Sequence, residues 1–243
     1  MAGSTKRSTN LSRGAIIARA VSLADAEGID RLSMRRLGET LGVEAMSLYH
    51  HVPNKTALLD EMVDSVFAEI SLPSGDWRSG LGARARSQRT ALHRHPWALP
   101  LLESRSTPGL ANLRHHDAVL GYLRGAGFGV RDAGHAYALL DAFVFGFVVQ
   151  ELALPFDAES AAGMAASMLE GQVGTAQPDH GQPDHGQASW GFPHLKEFMR
   201  EVVMPGGYDF ADEFEVGLGL VLESVASLRP SGEPAAPSEP RLD

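Results

Sequence analysis

The segment from Leu32 to Lys55, LSMRRLGETLGVEAMSLYHHVPNK, constrains the fold more than any other stretch of the chain. Ser33 is an N-cap residue type ahead of a helix in which Leu37 and Leu41 share a face, and Gly42 offers the backbone that ends it. Gly42 and Val43 then turn the chain into a second short helix over 44–51, closed by Val52 and Pro53. Two short helices joined by so tight a turn make a helix-turn-helix, which needs a third helix to cover its apolar side. The preceding segment provides one. From Ser12, a plausible cap, Ile16, Ala20, Leu23 and Ala24 fall at i, i+4, i+7 and i+8, and Gly28 supplies the stop. Leu37, Leu41, Val43, Leu48 and Val52 have the spacing to pack onto Ile16 and Ala20.

Helical periodicity continues through the rest of the chain, and runs with strand period are absent. Asn54 caps a helix whose Leu58, Met62, Val66, Phe67 and Ile70 lie on one side up to Pro73, and further helices are expected at 77–94, 108–125, 131–154, 158–171, 192–203 and 210–228. The tandem Gln177-Pro178-Asp179-His180-Gly181 and Gln182-Pro183-Asp184-His185-Gly186 lacks apolar groups to pack. The expectation is an all-α protein. It divides into a flexible N-terminal arm (1–11), a three-helix helix-turn-helix domain (12–56), a larger helical ligand-binding and dimerisation domain (57–229) with a mobile loop at 174–191, and a disordered tail (230–243).

Composition removes several alternatives. With 243 residues, 44% of them hydrophobic, the chain can bury a core, and with no cysteine it has neither disulfides nor thiolate metal sites. Met1–Asn10 carries no apolar run, so no secretory leader is expected. The longest strongly apolar stretch, Ala142–Val149, is far short of the ~20 residues of a membrane span. A cytoplasmic protein without membrane contact is the expectation. The ten histidines do not fall at ligand spacing with carboxylates, and no phosphate loop, dinucleotide fingerprint, nucleophile elbow or H-E-x-x-H occurs. Neither catalytic residues, a metal nor a cofactor is expected.

Charge is uneven along the chain. Residues 1–56 hold eight Lys/Arg against five Asp/Glu, whereas the remainder holds 13 of the 21 basic and 25 of the 30 acidic residues. Only the head suits a polyanion. On the second short helix Ala45, Met46, Ser47, Tyr49 and His50 are left pointing outward, a small, neutral face able to lie among base edges and thymine methyls. Arg35, Arg36 and Lys55 flank it with positive charge for phosphates. A helix-turn-helix also occurs in proteins that do not bind DNA, so a helical small-molecule-binding or scaffold protein without DNA affinity stands as the alternative reading.

Several linked motifs carry a resemblance. Asp25-Ala26-Glu27-Gly28, Ser33-Met34-Arg35-Arg36-Leu37-Gly38, Leu41-Gly42-Val43, Ser47-Leu48-Tyr49-His50-His51-Val52 and Asn54-Lys55-Thr56-Ala57-Leu58-Leu59 together resemble the N-terminal domain of the tetracycline-repressor (TetR) family. Trp77, Arg105 and Pro108, Gly127-Phe128 and Gly146 extend the likeness into a tetracycline-repressor-like C-terminal domain. The resemblance implies a homodimer that binds a palindromic operator, an inverted repeat in double-stranded DNA, and is released by a small-molecule effector, most often as a repressor. It implies base or near-base contacts from Arg35, Ala45, Met46, Ser47, Tyr49 and His50, and phosphate contacts from Tyr49, His51 and Lys55. It also implies dimerisation through the two long C-terminal helices, whose apolar faces are Leu139, Leu140, Phe143, Phe147 and Leu218, Leu222, Val225.

The same likeness puts Ser71, Arg84, Gln88, Leu101 and Val119 at or near effector-contacting positions. No histidine lies between Pro96 and Pro108, where the metal-binding histidine of the tetracycline repressor would fall, so recognition of a drug with its magnesium is not expected. An apolar cavity with a few polar groups is expected between the helices, and Arg105, Asn112, His116, Tyr137 and Gln150, together with Leu101, are the candidate effector-binding residues.

Overall fold

A computed structural model describes residues 11–104, 109–169, 192–206 and 208–229. The expected arm apart from Leu11, Arg105, the loop at 174–191 and the tail at 230–243 lie outside the described residues. Among those described, every regular element is helical.

The head is built as the caps dictate. Helix α1 (Arg13–Glu27) starts where the Ser12 hydroxyl accepts the Ala15 N–H at 3.2 Å, and it ends at Gly28, whose φ of 85° suits glycine. A 3₁₀ turn over Ile29–Arg31 leads to α2 (Met34–Leu41), then α3 (Ala45–Tyr49) and α4 (Lys55–Glu69), which opens with Asn54 accepting the Ala57 N–H at 2.8 Å. Beyond the head come α5 (Trp77–Arg94), α6 (Ala98–Ser104), α7 (Leu110–Gly125) and α8 (Val130–Ala153).

Helix α6, between Pro96 and Pro108, was not expected from the sequence. Pro100 is the third residue of the helix, in the first turn where the backbone N–H has no intrahelical partner to lose. Then come α9 (Ala158–Leu169), α10 (Pro193–Phe198), running through a π-helical turn over Met199–Val203 into α11 (Met204–Gly206), a 3₁₀ turn at Phe210–Asp212, and α12 (Glu213–Ser227).

The chain forms two compact units, one of residues up to Leu152 together with those from Leu218 onward, the other of Ala153–Gly217. In the first, a continuous core takes Ile16, Ala20, Leu37, Leu48 and Val52 from the head and Leu58, Met62, Val63, Val66 and Phe67 from α4. Helix α4 packs against α1, α5, α6 and α7 and so joins the head to the rest of this unit. In the second unit Ala161, Ala165, Met199 and Val203 form a small separate core.

By length and composition α8 could cross a membrane; the uninterrupted apolar run considered in the sequence is only its centre. Its Ala133, Ala136, Leu140, Val144 and Val148 are buried, and its Asp141 and Glu151 are ion-paired with Arg84 and Arg89. The faces expected to meet a second copy are also partly core: Leu140, Phe147, Leu218, Leu222 and Val225 are buried within the protomer. Val130, Leu139, Val149, Leu152 and Leu220 are the large apolar side chains these helices leave outward in the first unit.

Candidate nucleic-acid interface and ligand cavity

The helix-turn-helix is fixed by short-range bonds and one close backbone approach. The Ser33 hydroxyl accepts the Arg36 N–H at 3.1 Å, Gly42 sits at φ 70°, and the Val43 N–H returns to the Gly38 carbonyl at 3.0 Å. A Cβ on Gly38 would stand 2.9 Å from the Val43 carbonyl oxygen and 3.2 Å from the Ala45 nitrogen, so the turn closes over a glycine because nothing larger fits. Leu37, Leu48 and Val52 are fully buried, while Leu41 and Val43 pack at the core edge. Burying Leu48 orients α3.

With Leu48 inward, α3 presents Met46 (69% exposed), Tyr49 (42%) and an exposed His50, flanked by half-buried Ala45, Ser47 and His51. Lys55 is exposed at the first residue of α4. Arg35 is the more exposed of the two α2 arginines, meeting Glu39 at 3.1 Å. The Arg36 guanidinium holds Glu27 at 2.6 Å and approaches Glu39 at 3.7 Å, which ties α2 to the end of α1. The Arg36 hydrogen bond holds the Glu27 carboxyl below the usual range.

Where the head meets the neighbouring helices there is a polar knot around a buried histidine. His95, 3% exposed, contacts Asp25 Oδ1 through Nδ1 at 2.7 Å and Glu69 Oε1 through Nε2 at 3.2 Å. The Trp97 indole N–H donates to the same Asp25 oxygen at 2.6 Å, and Arg94 donates to Glu69 at 2.5 Å. The ends of α1, α4 and α5 are thus held by one histidine, which sequence reasoning passed over because its partners lie 70 and 26 residues away.

A cavity of about 510 Å³ lies in the first unit, bounded by Phe67 of α4, Leu99 and Leu102 of α6, Asn112 and His116 of α7, and Tyr137, Asp141 and Phe145 of α8. His116 and Tyr137 stack on its wall, centroids 3.9 Å apart and planes 13° from parallel. Three of the candidate effector residues, Asn112, His116 and Tyr137, therefore meet around one space. Leu101 instead packs against the main core, Gln150 is exposed away from the lining, and Val119 is buried.

Behind this wall stands Arg84, wholly buried. Its Nε donates to His115 Nε2 at 2.9 Å, its Nη2 donates to Asp141 Oδ1 at 2.8 Å, and its guanidinium lies 5.2 Å from the centre of the Tyr137 ring. Burial, with the Arg84 charge beside it, pushes His115 down to about 4, so the ring is a neutral acceptor at pH 7. Burial and the adjacent Asp141 raise the Tyr137 phenol above its ordinary value. Asp141 and Phe145 were not foreseen. The available signal was Arg84 and Gln88 standing in the buried stripe Leu81, Ala85 and Leu92, since polar groups on a core face announce partners elsewhere in the fold. Among the described residues no group of three or more His, Cys, Asp or Glu could hold a metal ion.

Comparison with known proteins matches the chain in two stretches. Residues 16–62 match the family model "Bacterial regulatory proteins, tetR family", and residues 71–228 match "Tetracyclin repressor-like, C-terminal domain". The chain is 32% identical over 218 residues to the HTH-type transcriptional repressor DrrR1 of Streptomyces coeruleorubidus, covering 88% of this chain and 76% of that one. It is 30% identical over 224 residues to the tetracycline repressor protein class C of Escherichia coli, covering 90% and 92%. Among solved structures, the ActR protein of Streptomyces coelicolor in complex with actinorhodin superposes with a TM-score of 0.66 at 26% identity, covering 89% of this chain and 97% of that one.

Proposed function

Because the chain belongs to the TetR family of bacterial regulators and is therefore a ligand-responsive DNA-binding transcriptional regulator, we propose that it acts in the cytoplasm as a homodimeric repressor released from an inverted-repeat operator by a small molecule. The observation that carries this reading is the outward face of α3, held by the fully buried Leu48 while Met46, Tyr49 and His50 are open to a major groove. Ser47 and Ala45 complete the base-reading edge. Arg35, His51 and Lys55 stand where phosphates would run, and Arg36 positions α2 through Glu27. One such helix reads only a few base pairs, so specificity calls for a second copy about 34–36 Å away.

The cavity bounded by Asn112, His116 and Tyr137 is the effector site in this reading, as the ActR structure holds actinorhodin. Phe67 lines it from the far end of α4, and Lys55 opens the same helix beside α3. A ligand that binds better when α4 is displaced moves the two reading helices off the groove spacing, and its differential affinity supplies the free energy of release.

The test is selection of random double-stranded DNA by the purified protein. Recovery of an inverted repeat whose half-sites lie one helical turn apart is the expected result. A single undivided site would remove the dimer, and no enriched site would favour the alternative of a helical ligand-binding protein without DNA affinity.

A further inference from the structure

Helices α1, α4 and α5 are joined near their C-terminal ends by one imidazole ring. Neither α1 nor α4 has a basic residue in its last turn, and each carries an acid there, Asp25 in α1 and Glu69 as the final residue of α4. A carboxylate at a helix C-terminus adds to the negative end of the dipole and calls for a cation. His95, the residue that closes α5, stands between the two.

Both ring nitrogens face carboxylate oxygens, Nδ1 on Asp25 Oδ1 at 2.7 Å and Nε2 on Glu69 Oε1 at 3.2 Å. An ionised carboxylate only accepts, so each contact is a hydrogen bond only while that nitrogen carries a proton, and a neutral ring has one N–H. Both carboxylates are held as acceptors by other donors as well, Asp25 by the Trp97 indole and Glu69 by Arg94. The charged groups around the ring are therefore Asp25 from α1, Glu69 from α4 and, through Glu69, Arg94 from α5, while Trp97 beside the start of α6 does not titrate. The ring is 3% exposed, whereas the Asp25 and Glu69 side chains are 29% and 36% exposed. A carboxylate released by the ring can turn to water; the ring cannot.

We infer that His95 is a proton-dependent clasp between the DNA-binding head and the helices behind it, so that DNA affinity falls as rising pH removes the ring's second proton. With that proton the ring holds α1 and α4 together. Without it the ring keeps the shorter bond to Asp25 and turns a lone pair towards Glu69, and the end of α4 is released from α1 on that side. Helix α4 begins beside α3 and packs on α1. Loosening its far end widens the range of orientations open to the reading helix, and ordering them on DNA then costs affinity. The inference needs only that the head binds DNA, and rests on neither the dimer, the operator symmetry nor the ligand.

The experiment follows the full-length protein, labelled with ¹⁵N in its histidine rings, by NMR from about pH 6 to about pH 8, the span in which histidine changes charge. The His95 signals are those missing from His95→Gln or, where that variant does not fold, those moved by Glu69→Gln. Affinity for the selected DNA is measured over the same range. Glu69→Gln decides the matter, because its amide oxygen still accepts from Arg94 while its amide N–H donates to an unprotonated Nε2, so both ring bonds persist without the second proton. The expected result is a His95 ring protonated on both nitrogens at the acid end and on one at the alkaline end. DNA affinity of the parent should fall at least about fivefold more across the range than that of Glu69→Gln. His50 and His51 on the DNA-facing side are the same in both proteins and cancel in the comparison. A ring with one proton throughout, or an equal pH dependence of DNA affinity in parent and Glu69→Gln, overturns the inference. Absence of DNA binding at every pH would be a failure of the operator reading, and the ring signals would still decide whether the clasp exists.

Discussion

Gly38 has no room for a methyl group, because the clash is with the backbone oxygen of Val43 and the backbone nitrogen of Ala45 rather than with a flexible side chain. Gly38→Ala is expected to destabilise the protein by about 1–3 kcal/mol, as overpacking does, and to weaken DNA binding by shifting α3. An unchanged urea midpoint would show that the turn yields. Tyr49→Ala and Lys55→Ala touch only exposed positions, and each is expected to lower DNA affinity while sedimentation shows the oligomer intact; unchanged affinity in both would remove α3 as the reading surface. His115 makes a pH prediction. Unfolded, it takes up a proton near its ordinary 6.5, and folded only near 4, so between these values the unfolded state binds more protons and stability falls as pH is lowered. That loss is at most about 3 kcal/mol, and His115→Gln should remove it. A variant whose stability declines with acid as steeply as the parent's would contradict the buried neutral histidine.

Helix α4 is the element on which the account turns, packed on α1 at one side and on α5, α6 and α7 at the other. Its far end is held through Glu69 by His95, which also grips Asp25 of α1. His95→Ala leaves the Trp97–Asp25 bond but removes the buried ring bridging three helices, and a loss of about 1–3 kcal/mol is expected from its hydrogen bonds to the two partly exposed carboxylates. Urea unfolding checks this, and no loss would mean that the knot is incidental. The helices themselves were largely legible, because Ser12, Ser33 and Asn54 cap through their own side chains and Gly28 and Gly42 end helices by backbone freedom, all signals within four residues. Helix α6 was not: it is 7 residues long and holds Pro100, which a helix takes only in its first turn. The cavity was half legible: His116 and Tyr137 stood out as polar candidates, but their stacking, and the bonds from Arg84 to groups 31 and 57 residues away, depend on how α5, α7 and α8 pack. The Arg36–Glu27 pair was not legible for the same reason, its two members being on different helices.

For the whole molecule, the imbalance between a mildly basic head and a strongly acidic remainder means that DNA can be approached only through the helix-turn-helix. Affinity should then come from few phosphate contacts per copy, doubled by a second copy, and discrimination from the two α3 faces together. In the proposed reading a ligand in the cavity acts on this arrangement through α4, so a head variant such as Tyr49→Ala is expected to leave ligand affinity in the absence of DNA unchanged, as calorimetry would show. That the positive groups around α3 neutralise phosphates is checked by measuring affinity for the selected DNA over a range of salt for the parent and for Lys55→Ala. Log K is expected to fall linearly with log salt, by roughly 0.9 per phosphate neutralised, and Lys55→Ala to make the slope shallower by about one for each copy bound. A flat line for the parent, or equal slopes for the two proteins, would contradict it.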